Sequence, residues 1–299
     1  MQPIDFVIVV FVTLMWALCF PLISTGLSGT SPLWYATLRS LIAGLSLLVP
    51  SILFGGWPKL SRKIWLLLIF FGFTYSFMGF GGMFLGGKEL NPGIATVLAN
   101  TQPLMAATMA YFFLSEKLNT IGFLGLFLGF SGILVIAWPA IFDQTSIGSI
   151  KGIEFILIGA LGTAIGNILL KKLTNKAPIF FAIGFSFIFG AFFLASAALS
   201  IEGALQTQWN SSFAISLLIL SIPGTAIATA CWYYLLERNP LTRLNAFSFL
   251  TPGFGLAIGV IFFRERLSMI ELGGVFLIVI GIYLISKRNV FKESILVNE

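Results

Sequence analysis

Ten long apolar segments constrain the fold of this chain more than any other feature of its sequence. Each has roughly 18 to 24 residues, enough to cross a hydrocarbon core of about 30 Å as a helix that rises about 1.5 Å per residue. A mean hydropathy of +1.01 with only 9% charged residues excludes an ordinary soluble domain. We therefore predict an all-α integral membrane protein with ten transmembrane helices. The predicted spans, numbered 1 to 10, are residues 4–24, 32–54, 64–86, 92–114, 119–139, 152–171, 177–200, 212–236, 242–263 and 268–286.

The distribution of basic residues predicts the orientation of the chain. Loops that face the cytoplasm carry an excess of Lys and Arg. Of the 17 Lys and Arg residues, 12 fall on the side that holds both termini, 4 fall on the other side, and Arg39 lies within span 2. We expect a multi-pass protein of the cell inner membrane, embedded in a lipid bilayer, with both termini cytoplasmic. Because this rule accounts for the positive charge, no nucleic-acid partner is expected.

The two halves of the sequence repeat one another. The segment that starts NPGIATVLANTQPLM at Asn91 aligns with the segment that starts NPLTRLNAFSFLTPG at Asn239, with one residue of slack. The alignment pairs Pro103 with Pro252, Glu116 with Glu265, Gly125 with Gly274 and Gly132 with Gly281. Because five spans is an odd number, the second half must cross the membrane in the opposite sense. We predict two inverted five-helix repeats, residues 1–140 and 150–288, followed by a cytoplasmic tail, residues 289–299.

These features resemble the EamA family of the drug/metabolite transporter superfamily. The resemblance rests on the two five-span halves, on Trp16-Ala17 in span 1, on the prolines in the middle of spans 4 and 9, and on the turns LSEKL and FRERL. It covers nearly the whole chain. The resemblance implies a secondary transporter that exports amino acids, small metabolites or drugs, and inverted repeats place the substrate site of such proteins near the membrane midplane.

A polar interruption in span 4 points to the position of that site. In LANTQPLM, residues 98–105, polar side chains precede Pro103, and Pro252 lies at the matching place in span 9. Proline removes a backbone donor and kinks a helix, which frees a carbonyl that is useful only beside a wet cavity. The alternative is that proline and small polar residues simply pack helices together. The predicted substrate-binding residues are Trp16, Tyr75, Thr96, Asn100, Gln102, Asn245, Ser248 and Thr251, with Pro103 and Pro252 shaping the site.

Aromatic residues and one charge refine this prediction. Trp16 lies past the middle of span 1 and Tyr75 near the centre of span 3, whereas the other six tryptophans fall near span ends and fit an interfacial belt. Arg39 is the one charge well inside a span. Such residues mark a substrate or ion path. For Arg39 the alternatives are a structural pair with Glu89, Glu154 or Glu271, snorkelling toward the headgroups, and recognition of an anion.

The residues that are missing limit the function further. The chain has no histidine, no P-loop and no buried aspartate pair, so we expect neither an enzyme nor a cofactor or metal site. The expected partner is a small uncharged, zwitterionic or cationic amphipathic substrate. Two alternatives stay open: a carrier for phosphorylated or nucleotide-linked metabolites, which would need several inward cations, and a membrane scaffold without transport activity. Glycines spaced four apart also leave a homo-oligomer open.

Overall fold

The computed structural model describes residues 3–102, 104–106, 109, 120–142, 147–173, 176–238, 250–264 and 268–286. Within these residues every regular element is a helix, and one isolated antiparallel bridge joins Thr30 to Thr207. In chain order, the helices of the first half are α1 (Pro3–Ala17), α2 (Cys19–Gly26), α3 (Pro32–Gly55), α4 (Arg62–Phe71), the π-helix π1 (Gly72–Phe80), α5 (Gly81–Glu89), α6 (Pro92–Ala99) and α7 (Thr120–Phe142). Those of the second half are α8 (Ile147–Leu173), α9 (Ile179–Ile201), α10 (Ser211–Ser221), the π-helix π2 (Ile222–Ile227), α11 (Ala228–Arg238), α12 (Leu250–Phe263) and α13 (Met269–Ser286).

Six continuous helical segments are long and apolar enough to cross a membrane. They are Ile4–Gly26, Pro32–Gly55, Arg62–Glu89, Ile150–Leu173, Ile179–Ile201 and Ser211–Arg238. These segments match predicted spans 1, 2, 3, 6, 7 and 8. Shorter apolar helices, Thr120–Gly132, Gly253–Phe263 and Leu272–Gly281, fall within predicted spans 5, 9 and 10. The all-helical membrane class is therefore confirmed, and six of the ten predicted spans correspond to full-length helical segments in the described residues.

Prolines explain where the helices of predicted spans 1 and 4 are interrupted. A residue four positions before a proline loses its helical hydrogen-bond donor. The break between α1 and α2 falls at Leu18, next to Ala17, which is four residues before Pro21. Likewise α6 ends at Ala99, four residues before Pro103 in the sequence, and a turn follows there.

Two other segments contain a π-helix in the middle of a span. Pro223 lies in π2, and the Thr225 hydroxyl donates to the carbonyl of Leu220, five residues earlier, at 2.6 Å. The π1 segment lies against α9, where a Cβ on Gly72 would overlap the carbonyl oxygen of Ser186. π-helical turns inside α-helices are frequent at functional sites.

The helices pack in pairs that each join the first half of the chain to the second. The closely packed pairs are α3 with α9, α7 with α13, α6 with α12, α5 and π1 with α8, α1 with α11, and α2 with α10. Glycines permit the close approach. A Cβ on Gly44 would lie 2.9 Å from the carbonyl oxygen of Gly184, and a Cβ on Gly82 would lie 2.7 Å from the backbone nitrogen of Gly159. These glycine faces are thus occupied by contacts within the chain.

The contact between α7 and α13 is reciprocal. A Cβ on Gly132 would lie 2.6 Å from the carbonyl oxygen of Gly274, and a Cβ on Gly281 would lie 2.6 Å from the carbonyl oxygen of Gly125. In the sequence alignment Gly125 corresponds to Gly274, and Gly132 corresponds to Gly281. Each contact is therefore the image of the other when the two halves are exchanged.

Candidate functional site

Four buried polar residues lie along one face of the eighth predicted span and form what we call the polar strip. They are Ser221 at the end of α10, Thr225 in π2, and Thr229 and Trp232 in α11. Their spacing of four, four and three residues places them on one helical face. None is more than 4% exposed. The strip faces side chains from the first three predicted spans, so it runs through the interior of the helix assembly.

Arg39 of α3 meets the strip at Thr225. Its Nε donates to the Thr225 hydroxyl at 2.8 Å, and its Nη2 contacts the Cys19 sulfur at 3.5 Å. The guanidinium carbon lies 4.3 Å from the ring centroid of Phe80 and 5.6 Å from that of Phe84, which are cation–π distances. Arg39 is only 3% exposed. Its charge is therefore held in the protein interior and does not reach the headgroups.

The carboxylate partners that the sequence offered for Arg39 do not contact it. Glu89 and Glu154 are exposed, and Arg39 has no ion pair with any carboxylate that the structure describes. The side chain of Glu271 is outside the described part. The snorkelling interpretation is wrong for this conformation, because the guanidinium is enclosed by aromatic rings, a hydroxyl and a thiol.

Tyr75 and Trp16 reach the strip further along it. The phenol of Tyr75, in π1, shares a side-chain hydrogen bond with Thr229, and its ring packs between Phe71 and Phe187. The ring of Trp16 lies 5.0 Å from that of Trp232, centroid to centroid. Two of the residues predicted for the site, from different spans, are thus brought to one strip.

Trp232 corrects the sequence interpretation. The sequence placed it near a span end, in the interfacial belt, whereas it is 4% exposed and packs from α11 against α1. Trp232 is not at the end of its helix, because α11 continues for six more residues to Arg238. Its side chain is buried because α1 packs against this part of α11. The interior aromatic site therefore contains a second tryptophan.

Three polar atoms of this interior lack a hydrogen-bond partner. They are Arg39 Nη1, Ser221 Oγ and Trp232 Nε1. Buried polar groups in proteins are almost always hydrogen-bonded, and an unsatisfied one costs about 1–3 kcal/mol. Two of these residues belong to the strip and Arg39 contacts it, so the strip offers polar groups to a ligand.

The predicted residues of spans 4 and 9 lie in a neighbouring region. Thr96 is buried against Gly255 of α12, and its hydroxyl donates to the carbonyl of Pro92 at 2.7 Å. The Asn100 amide donates to the carbonyl of Thr96 at 2.8 Å, which caps the end of α6. Gln102 is half-buried, and Thr251 is 2% exposed with its hydroxyl unpaired.

Three other predicted positions fall outside the residues that the structure describes, namely Asn245, Ser248 and Pro103. Pro252 is the third residue of α12. Helix α12 packs on α1 and α2, and helix α6 packs on α2. Helices α1 and α2 also carry Trp16, which contacts the strip, and Cys19, which contacts Arg39.

One end of the helix assembly is closed by contacts between two loops, residues 27–31 and 202–210, which we call the latch. Glu202 is its centre. The Glu202 carboxylate accepts from the Ser31 hydroxyl at 2.6 Å, from the Leu33 backbone N–H at 3.0 Å and from the Trp34 backbone N–H at 3.2 Å. A carboxylate at a helix N-terminus is stabilised by unpaired N–H groups and by the helix dipole. Glu202 thus ties the loop before α10 to the start of α3.

Backbone contacts extend the latch beyond Glu202. Thr30 and Thr207 form the antiparallel bridge, the Gln208 N–H donates to Gly29 at 2.8 Å, and the Trp34 indole donates to Gly203 at 2.9 Å. A cavity of about 620 Å³ opens beside it, lined by residues 27–32, Lys88 and residues 206–208.

Weakening the latch should expose the interior. We expect Glu202→Gln to increase the rate at which maleimide modifies Cys19 about tenfold, which corresponds to about 1.4 kcal/mol, because the variant loses a charge-assisted bond at the α3 N-terminus. The rate is measured in detergent in a Cys231→Ala background. Glu89→Gln, which neutralises an exposed carboxylate at the same end, should leave the rate unchanged. Equal rates in all three proteins would show that Glu202 does not hold this end closed.

None of the four strip residues and no part of the latch was predicted from the sequence. Ser221, Thr225 and Thr229 are small hydroxyl residues of the kind that fill membrane helices, and Glu202 lies in a loop. One signal was present: Pro223-Gly224 interrupts span 8 at its centre, as Pro103 interrupts span 4. Span 3, which corresponds to span 8 in the repeat, has no proline at its centre, so the alignment of the halves did not draw attention to Pro223.

Comparisons with known proteins agree with a transporter. The chain is 24% identical over 288 residues to the uncharacterized transporter YvbV of Bacillus subtilis, covering 95% of this chain and 92% of that protein. It is 28% identical over 296 residues to a probable amino-acid metabolite efflux pump of Salmonella typhimurium, covering 96% and 95%. A solved crystal structure superposes with a TM-score of 0.67 at 18% identity, over 95% of this chain and 98% of that one, and supports the fold.

The sequence profile of one family matches nearly the whole chain, at residues 4–138 and 150–287. This is the family that the paired prolines and the two Glu-containing turns resembled. The protein is therefore a multi-pass membrane protein that belongs to the EamA-like transporter family.

Proposed function

We propose that the protein is a secondary carrier that works by alternating access and exports amino acids, small metabolites or drugs. The observation that carries this proposal is the polar strip: buried, aromatic-lined and left with unpaired polar atoms in a chain of a transporter family. Relatives named as probable amino-acid metabolite efflux pumps support the direction of transport and the substrate range. Apolar walls with a few polar anchors suit an amphipathic small molecule.

The architecture that we propose for this carrier is ten spans in two inverted repeats, residues 1–140 and 150–288. In this arrangement spans 1 to 5 correspond to spans 6 to 10. The pairs α3·α9, α6·α12 and α7·α13 each join two corresponding spans. The contact of span 1 with span 8, made by α1 and α11, corresponds to the contact of span 6 with span 3, made by α8 with π1 and α5. The π-helices π1 and π2 also lie in corresponding spans, 3 and 8. This pattern supports a two-fold relation, and the strip then lies between the halves, where such carriers bind substrate.

The proposed location is the plasma membrane, with both termini cytoplasmic as the basic residues indicate. The latch then faces the outside, and the described conformation is closed on that side. Export requires the latch to open after the substrate has been bound from the cytoplasm. Interactions at a closed gate set the equilibrium between the two states, so the latch residues should control the transport rate.

The two alternatives remain distinct from this proposal. A carrier for phosphorylated or nucleotide-linked metabolites needs several inward cations, yet apart from Arg39 the Lys and Arg side chains that the structure describes are exposed. A scaffold without transport activity would have no use for unsatisfied polar atoms inside the helix assembly. Both alternatives are therefore less well supported.

Counterflow in proteoliposomes tests the proposal. The purified protein is supplied with radiolabelled amino acids, cationic drugs and sugar phosphates, with and without a pH gradient. We expect saturable exchange of one class, and at least about tenfold slower exchange in Trp16→Ala, because burial of a large aromatic side chain dominates binding-site energetics. Asn100→Ala should weaken exchange less, since its amide caps α6. Trp57→Ala, which changes an exposed tryptophan outside both the strip and the latch, is the matched control.

The thermal midpoint of each variant separates a loss of transport from a loss of folding. A variant that keeps the wild-type midpoint and loses exchange identifies a site residue. Exchange of nothing in the panel by the wild-type protein would count against the carrier. Exchange that is unaffected by Trp16→Ala would count against the site.

A further inference from the structure

Arg39 carries a buried charge that the described protein does not neutralise. A guanidinium is protonated at any physiological pH, so the group cannot avoid its burial cost by losing a proton. Removing a charge from water without a partner of opposite sign costs several kcal/mol. The aromatic faces of Phe80 and Phe84 offset part of this cost. The remainder requires an anion.

One guanidinium nitrogen of Arg39, the buried Nη1, has no hydrogen-bond partner. Nε is bonded to Thr225 and Nη2 to Cys19, whereas Nη1 has no partner. We propose that Nη1 binds the carboxylate of the transported substrate, so that the substrates are monocarboxylic acids with an apolar body. This inference rests on the carrier function proposed above. A carboxylate matches the planar donor edge of arginine better than it matches any other cation in proteins.

The charge around Arg39 favours one carboxylate over a phosphate. A phosphate monoester carries about two negative charges at neutral pH, and proteins usually meet it with several cations or helix N-termini. The other Lys and Arg side chains that the structure describes are exposed, so one positive charge faces the ligand. A single negative charge balances it.

The strip beyond Arg39 accounts for the apolar body. The Trp16–Trp232 pair provides ring faces, and the Trp232 N–H and the Ser221 hydroxyl lack partners. No described carboxylate lies on the strip to receive an ammonium group. We therefore expect binding to require the carboxylate of the substrate and not to require an amino group.

Ligand-dependent thermal stabilisation of the purified full-length protein tests this inference without measuring transport. The probes are leucine and phenylalanine, their deaminated acids 4-methylpentanoate and 3-phenylpropionate, and their amides leucinamide and phenylalaninamide. We expect amino acids and deaminated acids to bind, and the amides to bind at least about tenfold more weakly, as expected for the loss of a charge-assisted bond. Sodium chloride at matched ionic strength controls for inorganic anions.

Variants of Arg39 assign the effect to its guanidinium. Arg39→Gln should weaken the binding of the acids about tenfold to a hundredfold and leave amide binding unchanged, and Arg39→Lys should restore part of the loss. Arg39→Met keeps an unbranched, flexible side chain without the charge, so this variant should fold at least as stably as the wild type in the absence of ligand. Lys151→Gln removes an exposed cation and should behave like the wild type.

Several results would overturn the inference. These are equal binding of acids and amides, no response to any of the four acids, an equal response to chloride, or failure of Arg39→Lys and Arg39→Met to fold. A different result would contradict the carrier proposal alone: the acids stabilise the protein through Arg39, yet no labelled acid exchanges in proteoliposomes.

Discussion

Replacing either Gly281 or Gly132 with valine should lower the thermal midpoint of the purified protein by about 10 °C. A Cβ on Gly281 would lie 2.6 Å from two backbone atoms of α7, the Gly125 oxygen and the Gly129 nitrogen. A Cβ on Gly132 would lie 2.6 Å from the Gly274 oxygen and 2.8 Å from the Ile278 nitrogen of α13. Backbone atoms cannot rotate away, so α7 and α13 must separate. Overpacking of this kind costs about 3 kcal/mol, and each kcal/mol shifts the midpoint by about 2–4 °C.

Gly273→Val is the matched control for this experiment. Gly273 lies on α13 beside Gly274, yet a Cβ at Gly273 would meet no heavy atom within 4 Å. The control therefore carries the same change in chain entropy and hydrophobicity without the clash. Fluorescence-detected unfolding of the three variants gives the midpoints. A large effect at Gly281 with none at Gly132 would contradict the reciprocal contact, and with it the two-fold relation of the halves.

The sequence predicted the helices well because their signals are local. A long apolar run defines a span wherever it packs, and a proline acts on the residue four positions before it. The break near Ala17 shows the limit of that approach: Pro21 was inside a predicted uninterrupted span, and its effect on α1 and α2 was not foreseen. The repeat alignment also predicted which glycines correspond, and the contacts of Gly132 and Gly281 follow that correspondence.

The site was predicted only in part because its signals are not local. Trp16 and Tyr75 were predicted from their depth in spans 1 and 3 alone, and both contact the strip. Thr225 and Thr229 are inconspicuous in sequence, since hydroxyl residues in membrane helices commonly bond to their own backbone. What distinguishes them is the partner that each meets, Arg39 and Tyr75, and those partners are more than 150 residues away in the chain. A single sequence does not contain that information.

A disulfide across the latch should stop transport reversibly. Thr30 and Thr207 are paired in an antiparallel bridge, where Cα atoms are about 4.5–5.5 Å apart, and a disulfide tolerates Cα separations of about 4.4–6.8 Å. Their hydroxyl oxygens lie 3.4 Å apart, so the two side chains point to the same side. We expect the double variant Thr30→Cys with Thr207→Cys to cross-link under mild oxidation and to lose counterflow almost completely. A reductant should restore it.

Two controls separate a locked latch from damage to the protein. The native cysteines are first replaced as Cys19→Ser and Cys231→Ala, and serine at position 19 keeps an acceptor for Arg39. Each single variant, Thr30→Cys or Thr207→Cys, should transport equally well under oxidising and reducing conditions. A carrier that works by alternating access must open at both ends in each cycle, so a covalent bond across a gate would arrest the cycle in one state and leave binding from the opposite side intact. The cross-linked protein should therefore still bind substrate from the end opposite the latch. Full counterflow with the disulfide formed would place the exit elsewhere, and Glu202 would then stabilise the fold without gating it.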